Sequence, residues 1–202
     1  MAYEHDIFIS YRHDCPTTPW IMGVFLPELT KRLIPKRPER IRIFSDLDIR
    51  AGAKWAKLLP RKVASSQILI PMLTPYYFGS EWCRRELALM MEREETLGLN
   101  LDENSETGLV IPVRLCDGEK FPDRIGEIQH FCNFGNYTMM RKGTKTWTQF
   151  QQQMDRFSDE IDELLDLAPD FNDSFMTLTG KGIETELKAK IPKRSPLLRL
   201  SM

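Results

Sequence analysis

Residues 66–86 have the sequence Ser66-Gln-Ile-Leu-Ile-Pro-Met-Leu-Thr-Pro-Tyr-Tyr-Phe-Gly-Ser-Glu-Trp-Cys-Arg-Arg-Glu86, which combines two structural signals. The first part, residues 67–73, is apolar on both faces, as is typical of a central strand in a parallel sheet. A helix is predicted at residues 81–95, because Ser80 immediately before it is a good N-cap residue. A buried strand followed by a helix indicates an α/β arrangement.

The sequence on either side of this stretch continues the same pattern. Apolar runs predict further strands at residues 6–10, 41–45, 109–113 and 129–134. Apolar residues at helical spacing predict helices at residues 20–34 and 146–166, and Pro27 should kink the first or move its start. This alternation predicts a doubly wound sheet, whose ligands bind at the carboxyl ends of strands. Chemistry is therefore expected in the loops after Ser10, Ser45 and Leu73.

The composition excludes several classes of protein. The 202 residues carry 28 Lys and Arg against 29 Asp and Glu, a net charge of -1, which argues against a nucleic-acid binder. No run approaches the roughly 20 apolar residues of a membrane helix. The N-terminus lacks the basic and apolar regions of a secretory signal, so we expect a cytoplasmic protein without membrane attachment.

Metal and cofactor chemistry also has no sequence signature here. The three histidines and four cysteines are too scattered for a zinc site or a dense disulfide framework. Neither a phosphate-binding P-loop nor the glycine fingerprint of dinucleotide-binding folds occurs. We therefore expect no bound metal and no resident cofactor.

Three segments, taken together, resemble a TIR (Toll/interleukin-1 receptor) domain of the bacterial kind. They are His5-Asp-Ile-Phe-Ile-Ser-Tyr-Arg12, Phe44-Ser-Asp-Leu-Asp-Ile-Arg-Ala-Gly-Ala-Lys-Trp55, and residues 66–86 with their Trp-Cys-x-x-Glu helix start. The resemblance covers about residues 4–166 and implies a flavodoxin-like fold. Its central, mostly parallel five-stranded sheet is expected to be flanked by helices. We accordingly predict a TIR domain at residues 1–168 and a C-terminal extension with a basic tail at residues 169–202.

The resemblance implies one of two functions. Some TIR domains, including those of Thoeris-like antiphage defence, cleave NAD+ between nicotinamide and ribose and release ADP-ribose or a cyclic isomer as a signal. Others are non-catalytic signalling modules that act by self-association. Ribosyl transfer to another acceptor is a third hypothesis. NAD+ would be a substrate here, and the expected partners are further copies of the chain and a separate sensor or effector protein.

The family's catalytic glutamate matches Glu86, and Trp82 accompanies it four residues earlier. A carboxylate facing the ribose stabilises the oxocarbenium-like state of glycosidic cleavage, and a tryptophan on the same helix face can stack a planar ring. The other interpretation is that Glu86 is an ordinary acid of a first helical turn, stabilised by the helix dipole, and that Trp82 is a packing residue. The family match favours the catalytic interpretation.

Two groups of further residues are candidates for substrate binding. In the first, Arg12 either pairs with phosphate or ribose oxygens or is a solvated loop residue, while Tyr11 and Phe44 either form an aromatic wall or cap the core. The second group, Asp46, Gly52 and Lys54, lies in or next to the loop after the second strand. Asp46 either hydrogen-bonds the nucleotide or caps the loop, and Gly52 is expected to provide a turn with positive φ.

The charge pattern changes towards the C-terminus. Residues 155–173 are strongly acidic, whereas residues 181–202 are mainly basic. The simplest interpretation is a solvated tail that packs partly on the acidic helix of the domain, and a partner-binding tail is the alternative.

Overall fold

A computed structural model describes residues 2–37, 41–45, 55–99, 108–116, 118–119, 121–126 and 132–188, with side chains from residue 58 onward in the third range. Its five strands are β1 (His5–Ser10), β2 (Ile43–Phe44), β3 (Ser66–Leu73), β4 (Val113–Arg114) and β5 (Cys132–Asn133). They form one sheet in the order β2-β1-β3-β4-β5, and each neighbouring pair is parallel. This is the flavodoxin-like strand order, so the predicted fold class is confirmed.

The two longest strands form the centre of the sheet. β1 pairs with β3 from His5 opposite Ser66 to Ser10 opposite Pro71. Ile7, Phe8 and Ile9 are all fully buried. Because successive side chains of a strand point to opposite faces, their burial shows that both faces of the sheet are covered.

The fourth strand begins later than its sequence predicts. A strand was expected at residues 109–113, but regular pairing is confined to Val113–Arg114, and Val110 forms an isolated bridge with Leu69. Pro112 interrupts the segment and has no N–H group to donate to a ladder, so regular pairing starts only after it.

The helices cover the sheet in groups. They are α1 (Thr18–Trp20), α2 (Leu26–Leu33), α3 (Trp55–Ala64), α4 (Pro75–Gly79), α5 (Glu81–Leu97), α6 (Asp123–Gly126), α7 (Lys145–Leu167) and α8 (Lys181–Glu186). α2 packs on α7, α3 packs on α5, and α8 also packs on α5. No helix within the described ranges is both long and apolar enough to cross a membrane.

The predicted effect of Pro27 is visible at the start of α2. A π-helical turn, Ile21–Phe25, separates α1 from α2, and Leu26 donates its N–H to the Ile21 carbonyl. Pro27 lies in the first turn of α2, where its missing N–H leaves no bond broken. The proline thus moves the start of the regular helix, as the sequence predicts.

The acidic helix has a different partner from the one that the sequence suggests. The acids of α7 pair with the bases at the end of α2 and just after it: Arg32 with Asp155, Lys36 with Asp159, and Arg37 with both Asp162 and Asp166. We call these pairs the α2–α7 ion pairs. The expected packing of the basic tail on this helix is therefore wrong for the tail residues that the structure describes, which lie on α5 instead.

Residues 169–188, which we call the C-terminal segment, are held closely against α5. Gly180 has φ of 64°, and a Cβ atom there would lie 2.8 Å from the backbone nitrogen of Leu89, so the position requires glycine. The Glu92 carboxylate accepts from the backbone N–H groups of Thr179 and Gly180 at 2.9 and 2.6 Å. Leu187 is fully buried. The predicted division of the chain at residue 168 stays a prediction.

Candidate functional site

Glu86 lies on α5 where this helix passes the carboxyl end of β1. The helix begins at Glu81, and Ser80 caps it by accepting from the backbone N–H of Cys83 at 3.4 Å. Glu86 is therefore in the second turn, and Glu81 is the acid of the first turn. Because the dipole effect is concentrated in the first turn, the sequence-based interpretation of Glu86 as a first-turn acid is wrong.

The Glu86 side chain is buried, with a relative exposure of 7%. Among its contacts, Ser10 Oγ donates a hydrogen bond to Glu86 Oε2 at 2.6 Å. Ser10 is the last residue of β1 and is itself 1% exposed. Glu86 therefore lies at the edge of the sheet where the ligands of doubly wound folds bind.

A second hydroxyl group continues the contact away from Glu86. Tyr77 Oη lies 2.8 Å from Ser10 Oγ and donates to the Cys83 carbonyl at 3.0 Å. Tyr77 is fully buried on α4. Burial, followed by the neighbouring Cys83 and Glu86, raises the pKa of the Tyr77 phenol well above its ordinary value, so the phenol stays protonated. We call the series of contacts from Glu86 through Ser10 and Tyr77 to the Cys83 carbonyl the hydroxyl chain.

Sequence reasoning assigned neither of the two hydroxyl residues, Ser10 and Tyr77. Ser10 is a polar residue at the end of an apolar run, and Tyr77 lies in the Tyr76-Tyr77 pair after Thr74 and Pro75. The only available signal was the position of Ser10 at a strand end, where ligand-binding loops begin.

Trp82 is partly buried and packs against the core. The guanidinium group of Arg85 lies over its indole ring at 5.3 Å, a cation–π contact. Arg85 also pairs with Glu81 at 2.5 Å and lies 3.8 Å from Glu184 of the C-terminal segment. One face of the indole is therefore covered by Arg85, and the stacking role of Trp82 stays a prediction.

The three predicted binding residues near β1 and β2 differ in exposure. Tyr11 and Phe44 are only 3% and 4% exposed, which fits the packing alternative for both rings. The Phe44 ring packs against Phe8 with a centroid distance of 5.0 Å. The Arg12 side chain is 42% exposed and lies 3.8 Å from Asp14, so it stands at the carboxyl end of β1 in contact with solvent.

The remaining three predicted binding residues cannot be placed around Glu86. Asp46, Gly52 and Lys54 lie outside the described residues, and so does the side chain of Trp55. The structure thus brings Ser10, Tyr77 and Glu86 together, with Trp82 on the same helix.

The arrangement suits a reaction that develops positive charge. A buried carboxylate interacts with a cationic sugar ring more strongly than an exposed one, because the surrounding dielectric constant is lower. A hydroxyl donor holds one carboxylate oxygen and thereby limits the rotation of the group. Within the described residues, no group of three or more His, Cys, Asp or Glu side chains is placed to hold a metal ion.

Comparisons with known proteins identify the family. The family model described as TIR domain matches residues 7–165. Among solved structures, the chain is similar to the TIR domains of the activated Roq1 resistosome directly recognizing the pathogen effector XopQ, at 18% identity and a TM-score of 0.40, over 82% of this chain and 86% of that chain. No curated protein matches the sequence. Because the family model spans more than three quarters of the sequence, the chain belongs to the TIR domain family.

Proposed function

We propose that this TIR domain cleaves NAD+ at the bond between nicotinamide and ribose and releases nicotinamide with ADP-ribose or a cyclic isomer of it. The observation that carries the proposal is the position of Glu86. Its carboxylate is 7% exposed and accepts from Ser10 Oγ at 2.6 Å at the carboxyl end of β1. The family's catalytic glutamate matches this residue.

The chemistry of the bond supports this role for Glu86. When the nicotinamide leaves, the ribose ring takes on oxocarbenium character, and a carboxylate next to the ring stabilises that charge. Burial of an ionisable group is unfavourable unless other interactions compensate for it. A buried glutamate at the edge of the sheet where ligands bind is therefore more consistent with a catalytic role than with that of a charge that only aids solubility.

The finer parts of the proposal rest on the resemblance of the sequence. We infer a TIR protein of the bacterial type, whose product serves as a defence signal in a Thoeris-like antiphage pathway. Activity is expected in a homo-oligomer held by TIR–TIR contacts, in the cytoplasm, with a separate sensor or effector protein as a further partner. NAD+ is the substrate, and we propose that the reaction uses no cofactor.

The limited exposure of the aromatic side chains favours the alternative, a non-catalytic module that acts by self-association. Tyr11 and Phe44 are buried, and Arg85 covers one face of Trp82. The described residues therefore offer fewer aromatic surfaces to a nicotinamide ring than the sequence predicts. An adaptor needs no such surface.

The deciding experiment compares the full chain with Glu86→Ala and with Glu81→Ala as a matched control. Glu81 is an acid of the same helix, but its side chain is 58% exposed and pairs with Arg85. Each protein is concentrated, its oligomer is isolated by size-exclusion chromatography, and nicotinamide release from NAD+ is followed by chromatography with mass detection.

We expect Glu86→Ala to lower the rate of nicotinamide release by at least about 100-fold, as is usual when a main electrostatic contact of a transition state is removed. Glu81→Ala should retain the wild-type rate within about twofold. The mass of the second product separates hydrolysis from cyclisation and transfer. An assembled wild-type protein that releases no nicotinamide would contradict the proposal and support the adaptor.

A further inference from the structure

We propose that Ser10 and Tyr77 are positioning residues for Glu86, and that their hydroxyl chain lets the carboxyl group accept a proton from the attacking water without any movement of heavy atoms. This inference rests on the proposed function. It adds two residues to the site and gives Glu86 a second task, that of general base.

The first support is the geometry of the chain. Three oxygen–oxygen contacts run in series: 2.6 Å from Glu86 Oε2 to Ser10 Oγ, 2.8 Å from there to Tyr77 Oη, and 3.0 Å to the carbonyl oxygen of Cys83. The chain begins and ends on α5, because Cys83 lies one helical turn before Glu86. Its middle members come from β1 and α4, so three elements are fixed relative to the carboxyl group.

The second support is the number of protons in the chain. Ser10 and Tyr77 have one hydroxyl proton each, whereas the chain has three contacts. While Glu86 is ionised, the Ser10 proton goes to the carboxylate. The Tyr77 proton can then go to Ser10 Oγ or to the Cys83 carbonyl oxygen, so one of these two contacts contains no proton.

A protonated Glu86 completes the chain. The carboxyl group then donates to Ser10, Ser10 donates to Tyr77, and Tyr77 donates to Cys83. All three contacts become hydrogen bonds, and only hydroxyl hydrogens change direction. The chain therefore stabilises both protonation states of the carboxyl group, which is what a group that gains and loses a proton in each cycle needs.

The hydrolytic step balances as follows. The electron pair of the bond between ribose C1′ and the nicotinamide nitrogen leaves with nicotinamide, whose ring loses its positive charge. The oxygen of water bonds to C1′, and one proton of that water moves to Glu86. This proton later passes to solvent, so that NAD+ and water give nicotinamide, ADP-ribose and one proton.

The burial of the chain explains why it must be complete. Ser10 is 1% exposed and Tyr77 is fully buried, so bulk water cannot replace a missing partner. A buried hydroxyl or carboxyl group that loses its partner pays the full desolvation penalty. A purely structural Tyr77 would need only its bond to Cys83.

The kinetic test uses the full chain with Tyr77→Phe, Ser10→Ala and the double variant. The matched control is Tyr3→Phe, because Tyr3 is also buried. Its hydroxyl donates to the Pro169 carbonyl at 2.8 Å and accepts from Arg93, so these bonds do not involve the hydroxyl chain. Thermal unfolding of each variant establishes that it is folded, and steady-state nicotinamide release gives kcat and KM separately.

We expect Tyr77→Phe to lower kcat about tenfold with KM changed by less than about twofold, because the chain assists proton transfer rather than substrate binding. Tyr3→Phe should leave both constants unchanged. Since Tyr77 acts through Ser10, the double variant should be no slower than Ser10→Ala alone. Additive losses in the double variant, or equal kcat values for Tyr77→Phe and Tyr3→Phe, would overturn the inference.

A second measurement does not require turnover and so separates this inference from the proposed function. For each background, the infrared spectrum is compared with that of the same background carrying Glu86→Gln. The difference isolates the stretching band of the Glu86 carboxyl or carboxylate group. We expect the band to shift in Tyr77→Phe, where Ser10 has lost its second neighbour, and to keep its position in Tyr3→Phe. Identical bands in the wild type, Tyr77→Phe and Tyr3→Phe would refute the hydroxyl chain. A shifted band in a protein that does not cleave NAD+ would support the hydroxyl chain and refute only the catalytic proposal.

Discussion

Two polar regions of the molecule, the hydroxyl chain at Glu86 and the α2–α7 ion pairs, show opposite ways of using polar side chains. In the hydroxyl chain, Ser10, Tyr77 and Glu86 are each at most 7% exposed. In the ion pairs, the side chains are more exposed: Arg37 and Asp162 are 24% and 28% exposed, and Asp166 is 72% exposed. Contact distances are similar in the two regions, so the distances alone do not distinguish them.

The hydroxyl chain and the ion pairs differ in what replaces a contact that is broken. When an exposed ion pair is broken, water solvates both charges, and the net loss is usually below about 1 kcal/mol. When a buried hydrogen bond is broken, the remaining partner stays without solvent, and the loss is about 1–3 kcal/mol. Each of the following predictions tests whether burial, rather than the number of charges, decides the importance of a contact in this protein.

The largest effect is expected at Arg93, a cation that is 1% exposed. It donates to the Ser66 carbonyl at 2.8 Å and to Tyr3 Oη, and its guanidinium group lies 4.1 Å from the ring centroid of Phe175. Burial lowers the pKa of Arg93. We expect Arg93→Ala to lower the free energy of unfolding in urea by about 3–5 kcal/mol, because it removes two buried hydrogen bonds and opens a cavity.

Arg93→Met is the control for that experiment, because methionine restores much of the volume but none of the hydrogen bonds. It should recover part of the loss, and the recovered part measures packing. A loss below about 1 kcal/mol in Arg93→Ala would show that this buried cation contributes no more than a surface charge.

An intermediate effect is expected at Ser10. Ser10→Ala removes a hydrogen bond to Glu86 and the contact with Tyr77, so the free energy of unfolding should fall by about 1–3 kcal/mol. Ser158 is the matched control, because it is equally buried but donates only to the Asp155 carbonyl of its own helix at 2.8 Å. Ser158→Ala should cost less than about 1 kcal/mol, and equal losses at the two serines would count against a special role for the hydroxyl chain.

The smallest effect is expected at Arg37, which bonds Asp162 at 2.6 Å and Asp166 at 2.7 Å. Arg37→Ala should lower the free energy of unfolding by about 0.3–1 kcal/mol at low ionic strength. The difference should shrink further in about 1 M salt, where screening acts within roughly 3 Å. A loss that is larger than that of Ser10→Ala, or that does not depend on salt, would contradict the comparison.

The sheet could be predicted because its strands are short apolar runs, and the local sequence determines such runs. The boundary of β4 could not, since Pro112 shortens a run that is apolar throughout. α8 was also missed: in Lys181–Glu186 only Ile183 is buried, so no helical period is visible. The helix forms where Gly180 lets the chain approach α5, which is a tertiary effect.

The candidate site was predictable only where it lies in one segment. Glu86 and Trp82 are four residues apart on one helix, so the sequence indicates both. Ser10, which donates to Glu86, is 76 residues away from it in the sequence, and Tyr77 is 67 residues from Ser10. No periodicity or spacing rule connects residues at such distances, because only the sheet and the helix that packs on it bring them together.

The attachment of the C-terminal segment to α5 also sets the order in which the new chain can finish folding on the ribosome. Leu187, which is fully buried, follows the end of α5 at Leu97 by roughly 90 residues. At the usual synthesis rate of about 5–20 residues per second, it is made roughly 5–18 s after that helix. The helix that carries Glu86 therefore waits, with the surface under the C-terminal segment uncovered, until that segment has been made.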